Sequence, residues 1–201
     1  MPLESQEDRV DIRRLESGDD LASFQCTDAD LRGFLVDDAV RLEAQGVTRV
    51  YVAASGATVL AYIAVLADVV VLKSSEKKKL TLAHDDPKGV PALKIGRLAT
   101  HTAHQGRGLG TTLCRHAFQK AMEVRQHAAC RLLTVDAYDT AVTFYEKLGF
   151  VRNKSPENND EICSECGQKT EPADGSSPRE TTVSMRFDMQ APTLPGWVYG
   201  R

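Results

Sequence analysis

The stretch Gln105-Gly106-Arg107-Gly108-Leu109-Gly110 constrains this chain more than any other. It follows an apolar run, Ala92 to Thr100, that reads as a strand, and it opens an amphipathic run, Leu109 to Ala128, that reads as a helix. The closely spaced glycines let the backbone turn tightly and approach a ligand without Cβ interference. Successive N–H groups then face one concavity, and the helix adds its positive dipole end. The predicted result is a cradle for a pyrophosphate, with Arg107 adding a charge. The spacing is neither the G-x-G-x-x-G of dinucleotide folds nor a P-loop, because Thr111 and Thr112 follow Gly110 in place of a Lys-Ser or Lys-Thr pair.

A second signature follows about forty residues later. Leu132 to Val135 reads as a buried strand, and Asp139 to Leu148 as a short helix that stops at Gly149, a natural C′ residue. Ala141, Phe144, Tyr145 and Leu148 fall on one helical face.

The Q-x-x-G-x-G pattern with its internal arginine resembles the coenzyme A loop of the GCN5-related N-acetyltransferases. The string A-x-x-F-Y-E-K-L-G-F from Ala141 to Phe150 looks like the closing signature of that family. A third segment is similar to the toxin-type branch that modifies aminoacyl-tRNA: Phe24-Gln25-Cys26, Leu31, Phe34-Leu35, Ala39 and Thr48-Arg49-Val50-Tyr51-Val52, with Gly96-Arg97-Leu98-Ala99 before the loop. The likeness spans residues 10 to 152 and 181 to 189.

The resemblance implies an acetyl-CoA-dependent N-acetyltransferase working by direct attack of a primary amine in a ternary complex. It implies that Gln105, Gly106, Arg107, Gly108, Leu109, Gly110 and Thr111 bracket the pyrophosphate. Backbone N–H groups at Leu98, Ala99 and Thr100 would steady the oxyanion, and Tyr145 would protonate the departing thiolate. The acceptor would be an aminoacyl-tRNA, with an antitoxin-like partner, or else a small-molecule or protein amine. A different class stays open: a non-catalytic coenzyme-binding or interaction module. One departure stands out, since Tyr138 occupies a position where many family members have asparagine.

Acetyl transfer needs positioning, deprotonation of the ammonium, oxyanion donors and a proton for the leaving thiolate. A neutral phenol such as Tyr145 is a competent donor at neutral pH; its other reading is a core tyrosine. His101 is either a base or an exposed strand-end histidine, and His104 reads as packing.

The order of elements predicts an α/β (α+β) fold with a mixed, mostly antiparallel sheet between helices. Strands are expected at 10–15, 49–54, 59–66, 92–100, 131–136 and 181–189, with Ser55-Gly56-Ala57 as a hairpin turn. A helical stripe runs from Leu31 through Leu42, capped by Thr27 and Asp30. The resemblance implies that the strands at 92–100 and 131–136 splay apart to admit the coenzyme. Residues 1–201 are read as one domain, with a loop insertion at 73–90 and a polar insert at 153–180.

Composition sets the remaining bounds. The net charge of −3 argues against an overall basic nucleic-acid binder, and Lys77-Lys78-Lys79 reads as solvated surface. The amino terminus has no apolar signal core and no run suits a membrane span, so the cytoplasm is the expected location and no membrane partner is expected. Cys26, Cys114 and Cys130 read as small buried hydrophobes. Cys163 and Cys166 form a C-x-x-C knuckle, half a zinc site, which two chains could complete as a homodimer clip; otherwise it is a reduced loop. No metal ligand set is assigned within one chain.

Overall fold

The computed structural model describes residues 10–83, 86, 89–154, 182–191 and 193–199. Cys163, Cys166 and the insert expected at 153–180 lie almost wholly outside the described residues; Asn153 and Lys154 alone fall within them. The elements are β1 (Asp11–Arg14), α1 (Ala29–Gly33), a π-helical turn (Phe34–Asp38), α2 (Ala39–Ala44), β2 (Arg49–Ser55), β3 (Thr58–Val71), α3 (Ser74–Lys79), β4 (Gly89–Thr100), α4 (Leu109–Val124), β5 (Leu132–Tyr138), α5 (Asp139–Lys147), β6 (Val151–Arg152) and β7 (Thr182–Asp188). Single 3₁₀ turns occupy Thr102–His104 and Gly196–Tyr199.

The strands form one sheet in the order β1-β2-β3-β4-β5-β7-β6. Among the described residues the β4–β5 strand pairing alone is parallel, so the expected mixed, mostly antiparallel sheet is what forms. That parallel pairing covers just Ala92–Ile95 against Leu132–Val135. Beyond it β4 continues to Thr100 against β3, while β5 continues to Tyr138 against β7. The two strands therefore part after Ile95 and Val135, as the splay requires. Among the described residues no strand lies beside β4 from Gly96 onward on the β5 side, and the backbone groups of alternate residues there face the gap.

Two apolar layers hold the sheet. On one face Leu113, Cys114, Ala117, Phe118 and Ala121 of α4 pack on Ile63, Val65, Ile95, Leu133 and Val135. On the other, Phe24, Leu35 and Ala39 pack on Val50, Val52, Tyr62 and Ala64. The apolar run Val59–Val65 is buried on both sides and its alternation begins only at Leu66, where cover ends.

Local readings differ from the structure in four places. The cap of α1 is Asp28, whose carboxylate accepts from the Leu31 N–H at 2.9 Å, and not Thr27. Residues 73–90 are not a plain loop: β3 runs on to Val71, α3 follows, and β4 begins at Gly89. There Glu76 accepts the Lys73 N–H, closing the first turn, a contact that composition alone does not reveal. The long helix stops at Val124, four residues short of Ala128. Cys114 and Cys130 are buried as expected, but Cys26 is only partly buried.

Candidate active site

The loop before α4 is built from turn chemistry. His101 Nδ1 accepts the Ala103 N–H at 3.1 Å and so starts the 3₁₀ turn. Gly106 and Gly108 then take φ of +74° and +79°, the left-handed region that other residues adopt only at a cost. A Cβ at Gly108 would meet nothing within 4 Å, so conformation, not space, demands glycine there. Gly108 caps α4 without a side-chain bond, and the first closing bond is Thr112 N–H to the Gly108 carbonyl at 3.0 Å. Among the described residues no backbone N–H from Gln105 to Thr111 has a hydrogen-bond partner. A run of free amides at the positive end of a sixteen-residue helix suits an anion.

Those amides border a cavity of about 580 Å³. Its wall includes Leu98, Ala99 and Thr100 of the unpaired β4 edge, then Gln105, Gly106, Gly108, Leu109, Gly110 and Thr111, and finally Tyr145. Arg107 is the one expected cofactor-binding residue absent from that wall; it is exposed beside it. A second cavity of about 510 Å³ opens on the other side of the splay, with Lys94, Gly96 and Arg97 of β4 and Asp136 and Tyr138 of β5 in its wall. Thr27, Asp28, Leu31, Leu98, Thr140, Ala141 and Tyr145 line both. Tyr145 thus stands where the two cavities meet.

The sequence positions Tyr145 locally. Gly149 (φ +87°) ends α5 in a Schellman turn: Phe150 N–H donates to the Tyr145 carbonyl at 3.0 Å and Gly149 N–H to the Glu146 carbonyl at 2.9 Å. The turn lays the Phe150 ring edge-on to Tyr145 at 5.3 Å, and Phe144 closes on it at 5.0 Å. Burial raises the Tyr145 hydroxyl well above the usual phenol range, with the nearby Cys114 thiol adding to it. The Tyr145 hydroxyl therefore stays protonated throughout the physiological range.

The second cavity carries charge on both walls. Lys94 Nζ bridges Asp136 Oδ2 at 2.5 Å across the end of the β4–β5 pairing. Arg97 lies over the Phe34 ring at 5.6 Å, and Phe34 in turn stacks on Tyr62. The Tyr62 hydroxyl donates to the Leu31 carbonyl at 2.6 Å, which ties α1 to the sheet and brings Asp28 and Leu31 to the cavities. Sequence reasoning assigned no site role to Cys26, Thr27 or Asp28: Cys26 read as a small buried hydrophobe in the toxin-like segment, Thr27 as a helix cap, and Asp28 carried no signal.

The two histidines divide. His104 lines the first cavity, and desolvation, then the charges of Arg107 and His101, lower its pKa. His101 lines neither cavity; its Nδ1 is engaged and its ring packs on Phe24 and His104.

A splayed mixed sheet with a glycine-turned amide cradle is the frame of one class of enzyme. The chain belongs to the GNAT acetyltransferases: residues 45–152 match the family model described as "Acetyltransferase (GNAT) domain". It is an acetyl-CoA-dependent N-acetyltransferase.

Particular relatives narrow the branch to the toxin type. A "tRNA-acetylating toxin" of Mycobacterium tuberculosis (strain ATCC 25618 / H37Rv) is 30% identical over 139 residues, covering 69% of this chain and 82% of the relative. The solved structure of AtaT complexed with acetyl-methionyl-tRNAfMet is 27% identical with a TM-score of 0.66, over 75% of this chain and 92% of that one. A tyrosine-to-phenylalanine mutant of the AtaT toxin, bound to the C-terminus of the antitoxin AtaR and acetyl-CoA, is 27% identical with a TM-score of 0.61, over 73% and 87%. Among the described residues no helix is long and apolar enough to cross a membrane.

Proposed function

We propose that this enzyme acetylates the α-amino group of an aminoacyl-tRNA, with Tyr145 as the general acid. One observation carries the reading: Tyr145 lines both the cavity beside the amide cradle and the cavity beyond the splay. A group at that junction can hand its proton to a sulfur arriving from one side while an amine approaches from the other. The free amides of Gln105 to Thr111 hold the pyrophosphate, with Arg107 adding its charge from the rim. The unpaired edge at Leu98, Ala99 and Thr100 supplies donors to the oxyanion. The tRNA-acetylating relative and the tRNA complex of AtaT support the acceptor. Arg97 offers a positive charge at the second cavity, where Lys94 is already paired with Asp136.

By the same likeness, an antitoxin-like protein holds the enzyme in check, as the AtaT complex with the AtaR C-terminus suggests. Charged tRNA as acceptor places the work in the cytoplasm. The test is transfer of labelled acetyl from acetyl-CoA to a panel of charged tRNAs, with uncharged tRNA and small amines alongside. Label on aminoacyl-tRNA alone is the expected result; label only on small or protein amines overturns the acceptor.

A further inference from the structure

A third cavity, of about 310 Å³, lies between α3, β6 and the end of β7. Lys79, Arg152, Lys154 and Arg186 line it, against Glu76 and Asp188. Both carboxylates are already engaged. Glu76 accepts Arg186 Nη1 at 2.6 Å and the backbone amides of Lys73 and Lys154 at 3.1 and 3.0 Å. Asp188 is held by Arg131 Nε at 2.7 Å. Arg152 Nε is paired with Glu146 at 2.9 Å, but Lys79 and Lys154 have no carboxylate partner among the described residues. The cavity therefore carries a surplus of positive charge.

Arg186 is the second and independent sign. Only 4% of it is exposed, and Nη1 is shared between Glu76 and Asn153 Oδ1, both at 2.6 Å. Its Nε is buried with no hydrogen-bond partner. A desolvated guanidinium N–H left unmade is costly, and an oxyanion entering the cavity satisfies it. Planar donors flanked by two lysines match a phosphate better than a carboxylate, because phosphate offers more acceptor oxygens.

The cavity is also placed on the acceptor side. Thr182, in the wall of the second cavity, and Arg186 are four residues apart on β7 and so point to the same face of the sheet. Their separation along the strand is ~13 Å, roughly four nucleotides of a stacked strand.

We propose that this cavity binds a phosphate group, and, on the tRNA reading above, a backbone phosphate of the polynucleotide whose charged end enters the second cavity. The Lys77-Lys78-Lys79 run is then not merely solvated surface: Lys79 faces the phosphate, while Lys77 is buried and donates to the Asp86 carbonyl at 2.7 Å.

The experiment compares the full chain with the double variant Lys79→Ala/Lys154→Ala, which leaves the buried pair intact. Coenzyme A affinity by calorimetry serves as the control for folding and is expected to be unchanged. Filter binding of charged tRNA at several salt concentrations is expected to show roughly tenfold weaker binding, and a slope of log K against log salt reduced by about 1 to 2. Separately, phosphorus NMR follows inorganic phosphate with the cradle filled by saturating coenzyme A. Line broadening by the wild type that the variant loses establishes a phosphate site even if charged tRNA is neither bound nor modified, in which case the acceptor reading fails alone and free phosphate is the occupant. An unchanged tRNA slope together with no variant-sensitive broadening overturns the site while leaving the acceptor reading to its own assay.

Discussion

Gly108 offers a clean test of the anion cradle, because two substitutions there share one cost and differ in another. At φ +79° any L-residue pays backbone strain of roughly 1–2 kcal/mol. No atom lies within 4 Å of a Cβ at that position, so alanine adds no steric cost within the protein. A domain of this size loses about 2–4 °C of Tm per kcal/mol, so both Gly108→Ala and Gly108→Glu should melt ~2–8 °C lower than wild type. Glutamate adds a negative charge where seven consecutive residues, Gln105 to Thr111, offer free amides to an anion. At ~5 Å and an effective dielectric near 20, each charge pair repels by about 3 kcal/mol. The position is exposed, so solvent and salt screen part of this. About 3 kcal/mol in total survives against a doubly charged pyrophosphate, or roughly 100-fold in Kd. Calorimetry with coenzyme A should give less than a tenfold loss for Gly108→Ala and at least a hundredfold loss for Gly108→Glu, the latter partly relieved at high salt. If the glutamate variant binds within threefold of the alanine variant, the loop does not hold the pyrophosphate.

Other expectations follow from the same geometry. Tyr145→Phe should lower turnover at least tenfold with coenzyme affinity largely kept, and steady-state kinetics beside calorimetry separate the two. Tyr145 and Tyr62 are both raised by burial, so the unfolded chain releases their protons first as pH climbs past about 10. The tyrosines' contribution to stability is therefore constant below that pH and lost above it, and Tyr145→Phe should flatten the alkaline fall in denaturant titrations. His116 is lowered, chiefly by desolvation, and its buried Nε2 has no partner. Its contribution is present above about pH 6.5 and lost as pH drops, so His116→Phe should narrow the gap in Tm between pH 7.5 and pH 5. Burial would raise the Glu76 carboxyl, but the Lys154 and Lys73 amides and the Arg186 charge outweigh it and hold it below the usual range. Glu76→Ala strands the Arg186 charge and should cost about 3–5 kcal/mol, a drop of roughly 10 °C in thermal melts.

Much of this was legible in the residues themselves. The turn at Gly106 and Gly108, the start of α4, the stop of α5 at Gly149 and the strand that feeds the loop are all encoded within a few residues of where they act. A positive φ selects glycine on the spot, and a Schellman turn needs only its own helix end. The run through Tyr145 was legible for the same reason, since Phe144 and Phe150 frame it from neighbouring positions.

What escaped the sequence was formed between distant segments. Cys26 reads as a core residue until the end of β4 opens a cavity beside it. Asp28 caps its own helix and also borders both cavities, because the Tyr62–Leu31 tie and the packing of Phe24 and Phe34 on Tyr62 hold that segment on the sheet. His101 stands next to the loop yet packs away from the site. Arg186 and Glu76 are 110 residues apart, and neither carries a local sign of being buried. Chain-local chemistry thus specified the cradle and the tyrosine's helix. The junction that gives Tyr145 access from two sides, and the cationic cavity beyond it, arose only when β4 and β5 parted and the sheet brought remote segments to one face, because burial and charge pairing are properties of assembled surfaces.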